Sequence, residues 1–338
     1  MGLFSIFNQD IAMDLGTANT IIIHNDKIVV DEPSIIAVDQ QGKLIATGER
    51  AQRMHGKTHE GIKTIRPLED GVIADFNAAE MMIKSMIRRT LKKSIFTPSL
   101  KMVICIPSGS TNVETRAVRD SAEHAGGRDI YIIHEPMAAA LGIGLDVEAP
   151  EGCMVVDIGG GTSEIAVISL GGIVCNESIN IAGDAFTEDI ITYMKQHHNI
   201  KVGERTAEEI KINVGAAIDD LPEPPEPYSV VGHNIIDSNP HRVDVTYKEI
   251  AYALDKSLVK IDAAIMKILE RTPPELYCDI VRNGIYLAGG GALLRGLAQR
   301  FSAKTKLTFH VAEDPLRAVA RGSGIALKNI DKFSFLMR

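Results

Sequence analysis

The sequence predicts an α/β protein built from two homologous halves that enclose a ligand cleft. The main observation is a repeated pattern: an apolar strand ending on an aspartate, a glycine turn carrying a threonine, a second strand, a tight turn and a third strand. It occurs at residues 10–30 and again at residues 153–181. Strand-like and helical segments alternate between and after the two copies, which is typical of α/β folds. A third glycine run, at residues 289–291, follows another apolar strand.

The composition is that of a globular protein of about two domains. The 338 residues are 45% hydrophobic and 24% charged, and the net charge of -8 argues against nucleic acid as a partner, because phosphate backbones require a basic surface. No apolar stretch approaches the roughly 18–20 residues of a membrane-spanning helix, and the N-terminus lacks the features of a signal peptide. Four cysteines, at 105, 153, 175 and 278, form no CxxC pair, so we expect small buried side chains in a reducing cytoplasm.

In the first half, apolar periodicity and turn residues predict strands and helices in alternation. Strands are expected at residues 11–13, 20–24, 27–30, 102–106 and 131–133, and helices at residues 80–93, 113–125 and 137–142. Asn25-Asp26 is the tight turn expected between the second and third strands of the first copy. Pro136 suits the start of a helix, because its missing N–H has no partner there. Glu135 is therefore placed at a strand–helix junction, where α/β folds bind ligands.

The second half repeats the pattern and then diverges. Strands are expected at residues 153–156, 164–168, 173–181 and 284–287, and helices at residues 185–198, 206–218, 248–271 and 293–301. A Gly171-Gly172 turn is expected between the second and third strands. The proline-rich run at 221–227 cannot be regular structure, so it predicts a stiff surface loop. The third glycine run leads directly into the helix at 293–301, an arrangement that suits phosphate or a nucleotide.

The two glycine turns indicate phosphate binding. Glycines lack a Cβ, so a ligand can approach the backbone closely, and successive N–H groups in such a turn bind anions. Asp157 and Thr162 flank three glycines at 159–161, and a carboxylate with a hydroxyl suits a phosphate and its magnesium ion. Since the first copy offers the same groups around Asp14, we expect both hairpins to grip one polyphosphate across a cleft.

Three glycine sites in a duplicated α/β chain resemble those of the actin, Hsp70 and sugar-kinase ATPase superfamily, and within it the chain is similar to the bacterial actins of the MreB family. The matching stretches are residues 14–19, 66–67, 70–75, 135–140, 154–164, 272–276, 289–294 and 312–316. The resemblance implies an actin-like ATPase fold, in which two duplicated ribonuclease-H-like α/β domains surround a nucleotide cleft and each carries a small inserted subdomain.

The resemblance also implies domain boundaries. Domain I would span residues 1–150 with a small subdomain at about 33–68, and domain II would span residues 151–315 with a small subdomain at about 183–246. The C-terminal segment, residues 316–338, would return to domain I.

Site residues follow from the same resemblance. The β- and γ-phosphates of ATP would be held by Gly16, Thr17, Ala18 and Asn19 from one side and by Gly159, Gly160 and Gly161 from the other. Asp14 and Asp157 would orient Mg²⁺ through its waters, while Glu135 and Thr162 would position the attacking water. Expected near the adenosine are Glu208, Glu209, Ile210 and Lys211, with Gly289, Gly290, Gly291 and Ala292 beneath it. Ser163 and Ala288 stand where the family usually has threonine, and we expect binding to survive these small changes.

In function, the resemblance implies slow ATP hydrolysis whose nucleotide state gates assembly into filaments. It implies antiparallel paired protofilaments on the inner face of the cell membrane, guiding lateral cell-wall synthesis together with elongation proteins. The expected location is cytoplasmic and peripheral to that membrane.

Two apolar segments are candidates for membrane contact. On a helix, Leu3, Phe4, Ile6 and Phe7 share one arc; the alternative is a terminus that is frayed or packed on its own domain. Ile95 and Phe96 follow a basic run at residues 88–93, and in the MreB family a hydrophobic loop at this place meets the bilayer. The alternatives are that Phe96 packs into its own lobe and that the basic run is a solvated helix face.

Two other functions remain open. A sugar kinase would share the cleft but would need a sugar site. An Hsp70-like chaperone would need a peptide-binding domain after the ATPase pattern, whereas this chain ends at Arg338. The histidine pairs at 55/59 and 197/198 have no convincing third ligand, so we interpret them as surface residues instead of a metal site.

Overall fold

The structure, a computed structural model, describes residues 8–91 and 99–338. The first half contains β1 (Asn8–Leu15), β2 (Asn19–His24), β3 (Lys27–Pro33), β4 (Ile36–Asp39), β5 (Leu44–Thr47), α1 (Glu49–Met54), β6 (Ile62–Ile65), β7 (Leu68–Glu69), β8 (Val72–Ile73), α2 (Phe76–Thr90), β9 (Ser99–Ile106), α3 (Asn112–His124), β10 (Gly127–His134) and α4 (Glu135–Ile143).

The second half contains β11 (Cys153–Ile158), β12 (Ser163–Ser169), β13 (Gly172–Ile179), α5 (Gly183–His197), β14 (Ile200–Lys201), α6 (Glu204–Val214), β15 (Tyr228–Asn234), β16 (Pro240–Val245), α7 (Tyr247–Arg271), α8 (Pro274–Asn283), β17 (Ile285–Ala288), α9 (Leu297–Thr305), β18 (Phe309–Val311) and α10 (Ala318–Lys328). Short 3-10 helices at Gly290–Leu293 and Pro315–Arg317 precede α9 and α10. Within the described ranges, no helix is both long and apolar enough to cross a membrane.

Two five-stranded sheets share one topology, which confirms the predicted duplication. The strand order is β10-β9-β1-β2-β3 in the first sheet and β18-β17-β11-β12-β13 in the second. In both sheets the central strand pairs antiparallel with its hairpin partner and parallel with a later strand. The central strands are buried, as Met13, Val155 and Val156 show with 0% exposure, because apolar side chains on both faces of such a sheet are covered.

Each sheet's second hairpin turn has two residues in the left-handed region. Asn25 and Asp26 have φ of 51° and 62°, which Asn and Asp tolerate better than most residues. In the second copy the corresponding residues are Leu170 and Gly171, with φ of 52° and 71°. The predicted Gly171-Gly172 turn was therefore one residue too late, since Gly172 already begins β13.

A small sheet accompanies each large one. In the first half, β5-β4-β6 packs with α1, and in the second, β14-β15-β16 packs with α5 and α6. The proline-rich run between α6 and β15 contains no helix or strand, as its composition predicted.

Two predicted helices near the third glycine run were wrong at one end. Helix α6 ends at Val214, not at 218, and α9 begins at Leu297, not at 293. The reason is a contact between the two segments: Ala216 forms a β-bridge with Arg295, and the Ala217 N–H donates to the Arg295 carbonyl at 2.7 Å. This pairing holds both segments extended. The glycine run itself forms the 3-10 helix and is not the start of α9.

Helix α10 packs closely against α4, β1 and β9 of the first half. The crossing of α10 with α4 is made by small residues, because a Cβ added at Gly322 would lie 1.7 Å from the Ala138 carbonyl oxygen, and one added at Gly142 would lie 1.8 Å from that of Ala318. Near the C-terminus, Met337 forms a β-bridge with Ile132 of β10. The cysteines meet the expectation only in part: Cys105 and Cys175 are buried, Cys153 is half-buried, and Cys278 on α8 is exposed.

Candidate functional site

A cleft of about 610 Å³ lies between the two halves. Both glycine hairpins line it, together with the first turn of α5, one face of α6 and the loop after β17. Sixteen predicted residues line this cleft: Asp14, Gly16, Thr17, Ala18, Asn19, Glu135, Asp157, Gly159, Gly160, Gly161, Thr162, Glu208, Lys211, Gly289, Gly290 and Gly291.

Three predicted residues do not line the cleft. Ile210 is fully buried in the core of the second half, and Glu209 points outward to pair with Arg205 at 3.2 Å. Ala292 is 4% exposed and also belongs to the core. Since residues three apart share a helix face, only Glu208 and Lys211 of the predicted run reach the cleft.

The two hairpin turns touch each other across the cleft. A Cβ on Gly160 would lie 2.7 Å from the Cβ of Ala18, and a Cβ on Gly161 would lie 2.7 Å from Thr17 Oγ1. The Thr17 hydroxyl also accepts the Gly71 N–H at 2.9 Å. Only residues without a Cβ permit this approach, so the glycines serve the meeting of the two halves as well as any bound anion.

Asp14, the next-to-last residue of β1, lines the cleft. Burial raises the pKa of this carboxyl to about 6. A hydrogen bond from Cys105 partly offsets this rise in pKa, and the charge of Asp31 adds to it. The Cys105 thiol donates to Asp14 Oδ1 at 3.2 Å.

Asp157 is the matching residue of the second half. It is 5% exposed, and its Oδ1 is buried without a hydrogen-bond partner among the described residues. Burial, followed by the charges of Asp14 and Glu164, raises the pKa of Asp157 to about 8. Gly289 approaches so closely that its Cβ would lie 2.4 Å from this oxygen. A buried carboxylate oxygen without a donor is costly, and a cation facing it would relieve that cost.

The carboxyl cluster fits a hydrated divalent cation. Glu135 also faces the cleft, and burial with the charges of Glu164, Asp157 and Asp14 raises its pKa well above the usual range. Three carboxyl groups that repel one another favour a positive charge between them. Within residues 8–91 and 99–338, no three His, Cys, Asp or Glu side chains lie close enough to hold a metal by themselves, whereas Mg²⁺ keeps several waters and uses one or two carboxylates with phosphate oxygens.

Lys211 is held at the side of the cleft formed by α5 and α6. Its Nζ donates to the Gly183 carbonyl at 2.8 Å and to Thr187 Oγ1 at 2.9 Å, and it pairs with Glu208 at 2.6 Å. The Thr187 hydroxyl lies 2.9 Å from Glu208 Oε2. These bonds fix a cation beside the glycine turn at 159–161.

Apolar side chains complete the same end of the cleft. Ile212, Leu293 and Leu316 line it and are at least half exposed, at 64%, 55% and 50%. Exposed apolar surface within a cleft is typical of a site for a flat organic ring. The third glycine run lies beside them, and Gly289 takes the left-handed φ of 77°.

Sequence reasoning missed a charged bridge across the mouth of the cleft. Arg66, from the first half, forms an ion pair with Glu204 and lies 3.8 Å from Asp184, both from the second half. His55 Nε2 lies 3.2 Å from the second oxygen of Glu204, while its Nδ1 lies 2.9 Å from Thr64 Oγ1. Arg66 lies in one of the stretches that match the MreB family. Its partners Asp184 and Glu204 lie more than a hundred residues away, and no sequence pattern marks them as its partners.

The predicted membrane-contact residues, Leu3, Phe4, Ile6, Phe7, Ile95 and Phe96, lie outside the described residues. The described part of the basic run is partly neutralised, because Arg89 donates two bonds of 2.9 Å to the carboxylate of Glu32.

Comparison with known proteins identifies close relatives over nearly the full chain. A model of the family described as MreB/Mbl protein matches residues 8–335. The chain is 45% identical over 329 residues to cell shape-determining protein Mbl of Bacillus subtilis strain 168, covering 97% of this chain and 98% of that protein. It is 45% identical over 334 residues to cell shape-determining protein MreB of Escherichia coli strain K12, covering 96% of this chain and 95% of that protein.

Solved structures share the fold. MreB5 of Spiroplasma citri bound to AMPPNP superposes with a TM-score of 0.90 at 37% identity, covering 96% of this chain and 97% of that one. The MamK double helical filament superposes with a TM-score of 0.80 at 20% identity, covering 96% and 99%, a likeness that shows the fold alone.

Proposed function

This chain belongs to the MreB/Mbl family, and from that premise we propose that it is an ATP-dependent, actin-like cytoskeletal protein whose filaments maintain cell shape. The observation that carries the proposal is the contact between the two glycine hairpins, Gly160 against Ala18, in a cleft that Asp14 and Asp157 also line. One polyphosphate bound there would touch both halves. Since a ligand that contacts both halves favours the closed form, nucleotide would control the conformation that assembles.

The cleft residues take distinct roles in nucleotide binding. Backbone N–H groups of the turns at 16–19 and 159–161 would hold the phosphates, and Lys211 with Glu208 would lie near the adenosine, above the glycine run at 289–291. Structures of the relative MreB5 of Spiroplasma citri bound to AMPPNP and to ADP support nucleotide binding here.

For hydrolysis, Glu135 and Thr162 would position the attacking water. Asp14 and Asp157 would hold the hydrated Mg²⁺, which when bound supplies positive charge to the phosphate oxygens. Phosphoryl transfer depends mainly on positioning and charge neutralisation, and the protein groups that provide both line this cleft. We expect the hydrolysis to be slow, so that the bound nucleotide would indicate how long a subunit has been in the filament.

The domain assignment is part of the proposal. Residues 1–150 would form domain I, with its small subdomain at 33–68, and residues 151–315 would form domain II, with its small subdomain at 183–246. The packing of α10 on α4 and β1 supports assigning residues 316–338 to domain I.

Filaments would lie as antiparallel paired protofilaments on the inner face of the cell membrane and would guide cell-wall elongation proteins. The Bacillus and Escherichia relatives are cell shape-determining proteins, which supports this role. Membrane contact would come from Leu3, Phe4, Ile6, Phe7, Ile95 and Phe96. Burying one such side chain contributes about 1.5–3 kcal/mol, and a nearby basic residue about 1 kcal/mol. A filament that presents many copies would bind far more firmly than a monomer.

The test is assembly of the purified chain on addition of ATP and Mg²⁺, measured by light scattering and pelleting. We expect assembly followed by slow phosphate release. Replacing Glu135 by alanine should preserve ATP binding and assembly but slow phosphate release, because the residue contacts the water and not the nucleotide. No assembly of the wild-type chain under any nucleotide would contradict the proposal.

The sugar-kinase and chaperone alternatives are not favoured, since the relatives that match the full chain are shape-determining proteins.

A further inference from the structure

Glu164 is a fully buried carboxylate next to the site, and none of the proposed nucleotide or water contacts involves it. It is 0% exposed and does not line the cleft. On the antiparallel pair β11 and β12 it lies directly opposite Asp157. Burying a charge without partners is strongly unfavourable, so the groups that bind this carboxylate indicate what it does.

Its donors come from both halves of the molecule. From the first half, the Ser108 N–H donates to Oε2 at 2.9 Å, and the Ser108 hydroxyl donates to the same oxygen. From its own sheet, the Ser178 hydroxyl donates to Oε1. Asn176 donates in turn to Ser108 Oγ at 2.9 Å. Glu164 therefore binds the loop that follows β9 onto the second half.

That loop also contacts the hydrolytic side of the cleft. Pro107 lies against Gly71, whose added Cβ would meet Pro107 Cγ at 2.7 Å and the Thr162 methyl at 3.0 Å. The loop continues from β9, and β9 pairs in parallel with β10, which runs directly into Glu135. The bond between Ser108 and Glu164 thus connects the strand layer that leads into Glu135 to β12, the strand that directly follows Thr162.

We propose that Glu164, through its bonds with Ser108, is a positioning residue for ATP hydrolysis that sets Glu135 of one half against Thr162 of the other. The inference rests on the proposed function. It does not make Glu164 a contact of the nucleotide, and it predicts that loss of the inter-half bond affects the hydrolytic step and leaves nucleotide binding intact.

The two serines provide a matched pair of variants. Ser108→Ala removes a hydroxyl donor from the opposite half, and Ser178→Ala removes one from the same sheet. Both variants keep the Cβ, and neither position lines the cleft. We would measure the dissociation constant of a fluorescent ATP analogue and the single-turnover rate of phosphate release. Ser108→Ala should release phosphate about tenfold more slowly, as expected for small misplacement of reacting groups, with an unchanged dissociation constant, and Ser108→Thr should restore the rate. Ser178→Ala should stay within about twofold of wild type.

Three results would overturn the inference. Equal slowing by both alanine variants would mean that the serines only stabilise the Glu164 charge. A wild-type rate of phosphate release in Ser108→Ala would mean that the bond from the Ser108 hydroxyl to Glu164 does not position Glu135 against Thr162. Lost nucleotide binding in Ser108→Ala would assign the contact to binding or folding. A wild-type chain that binds ATP and releases no phosphate would instead refute the hydrolytic part of the proposed function.

Discussion

Replacing Gly322 by alanine should destabilise the protein through the crossing of α10 and α4. The new Cβ would lie 1.7 Å from the Ala138 carbonyl oxygen and 2.5 Å from its carbon. Both are backbone atoms within a buried helix, so no side-chain rotation can relieve the clash. The helices would have to separate by about 1.5 Å or more to reach an ordinary contact distance. Because α4 begins at Glu135, the separation would also displace a proposed hydrolytic residue.

The expected cost is about 3 kcal/mol, at the upper end of the range for overpacked cores. With an unfolding entropy of about 2.1 cal/mol/K for each residue, this corresponds to a fall of about 4 °C in Tm for a chain of this length. Differential scanning calorimetry of the nucleotide-free protein measures it, and the phosphate release rate should fall in parallel.

Gly324, two residues later in the same helix, is the control. A Cβ there would meet only the Ile23 side chain, at 3.4 Å and beyond. Since alanine is favoured over glycine in a helix by about 1 kcal/mol, Gly324→Ala should leave Tm unchanged or raise it slightly. If Gly322→Ala and Gly324→Ala both melted at or above the wild-type Tm, the close crossing of α10 and α4 would not be what holds α4 in position.

Three further outcomes are expected. Arg66→Ala should release nucleotide about two- to fivefold faster in stopped-flow displacement, because a partly exposed ion pair contributes up to about 1 kcal/mol; Arg53→Ala, which breaks an exposed pair on α1, should leave the rate unchanged. Asp157→Asn should flatten the pH dependence of Tm in nucleotide-free protein. The pKa of Asp157 in the folded state, about 8, exceeds the ordinary 3.8, so between these pH values the folded state holds a proton that the unfolded state has lost. Stability therefore falls as pH rises from 3.8 to about 8. An equal fall of Tm between pH 6 and 8 in variant and wild type would contradict this. Phe96→Asp should reduce pelleting with anionic liposomes, and undiminished pelleting would reject the loop as a membrane contact.

Most of the fold could be predicted from the sequence because the duplication is local in the chain. Each hairpin carries its own strand, glycine turn and strand, so the two copies could be recognised separately and then related. The errors arose where distant segments decide the conformation. The bridge between Ala216 and Arg295 ends α6 early and delays α9, and neither partner is marked by its neighbours in sequence.

The same distinction applies to the site. Glycine runs and the aspartates before them stand out in the sequence, and their residues line the cleft. Helical periodicity alone could have separated Glu208 and Lys211 from the outward Glu209 and the buried Ile210. The partners of Arg66 and the bond of Glu164 to Ser108 could not have been found, because ion pairs and hydrogen bonds between segments about 60 to 140 residues apart depend on packing that only the three-dimensional structure reveals.

On the proposed function, one nucleotide holds the two glycine hairpins together and thereby produces the form that assembles. Gly160→Ala tests this coupling, since the added Cβ would lie 2.7 Å from the Ala18 Cβ and 2.9 Å from its nitrogen, forcing the hairpins apart without removing a charged or catalytic group. The measurement is filament pelleting with ATP and Mg²⁺ for wild type and variant side by side. We expect wild type to pellet only with nucleotide and Gly160→Ala to stay in the supernatant. Equal pelleting of the two, or wild-type pelleting that is independent of nucleotide, would contradict it.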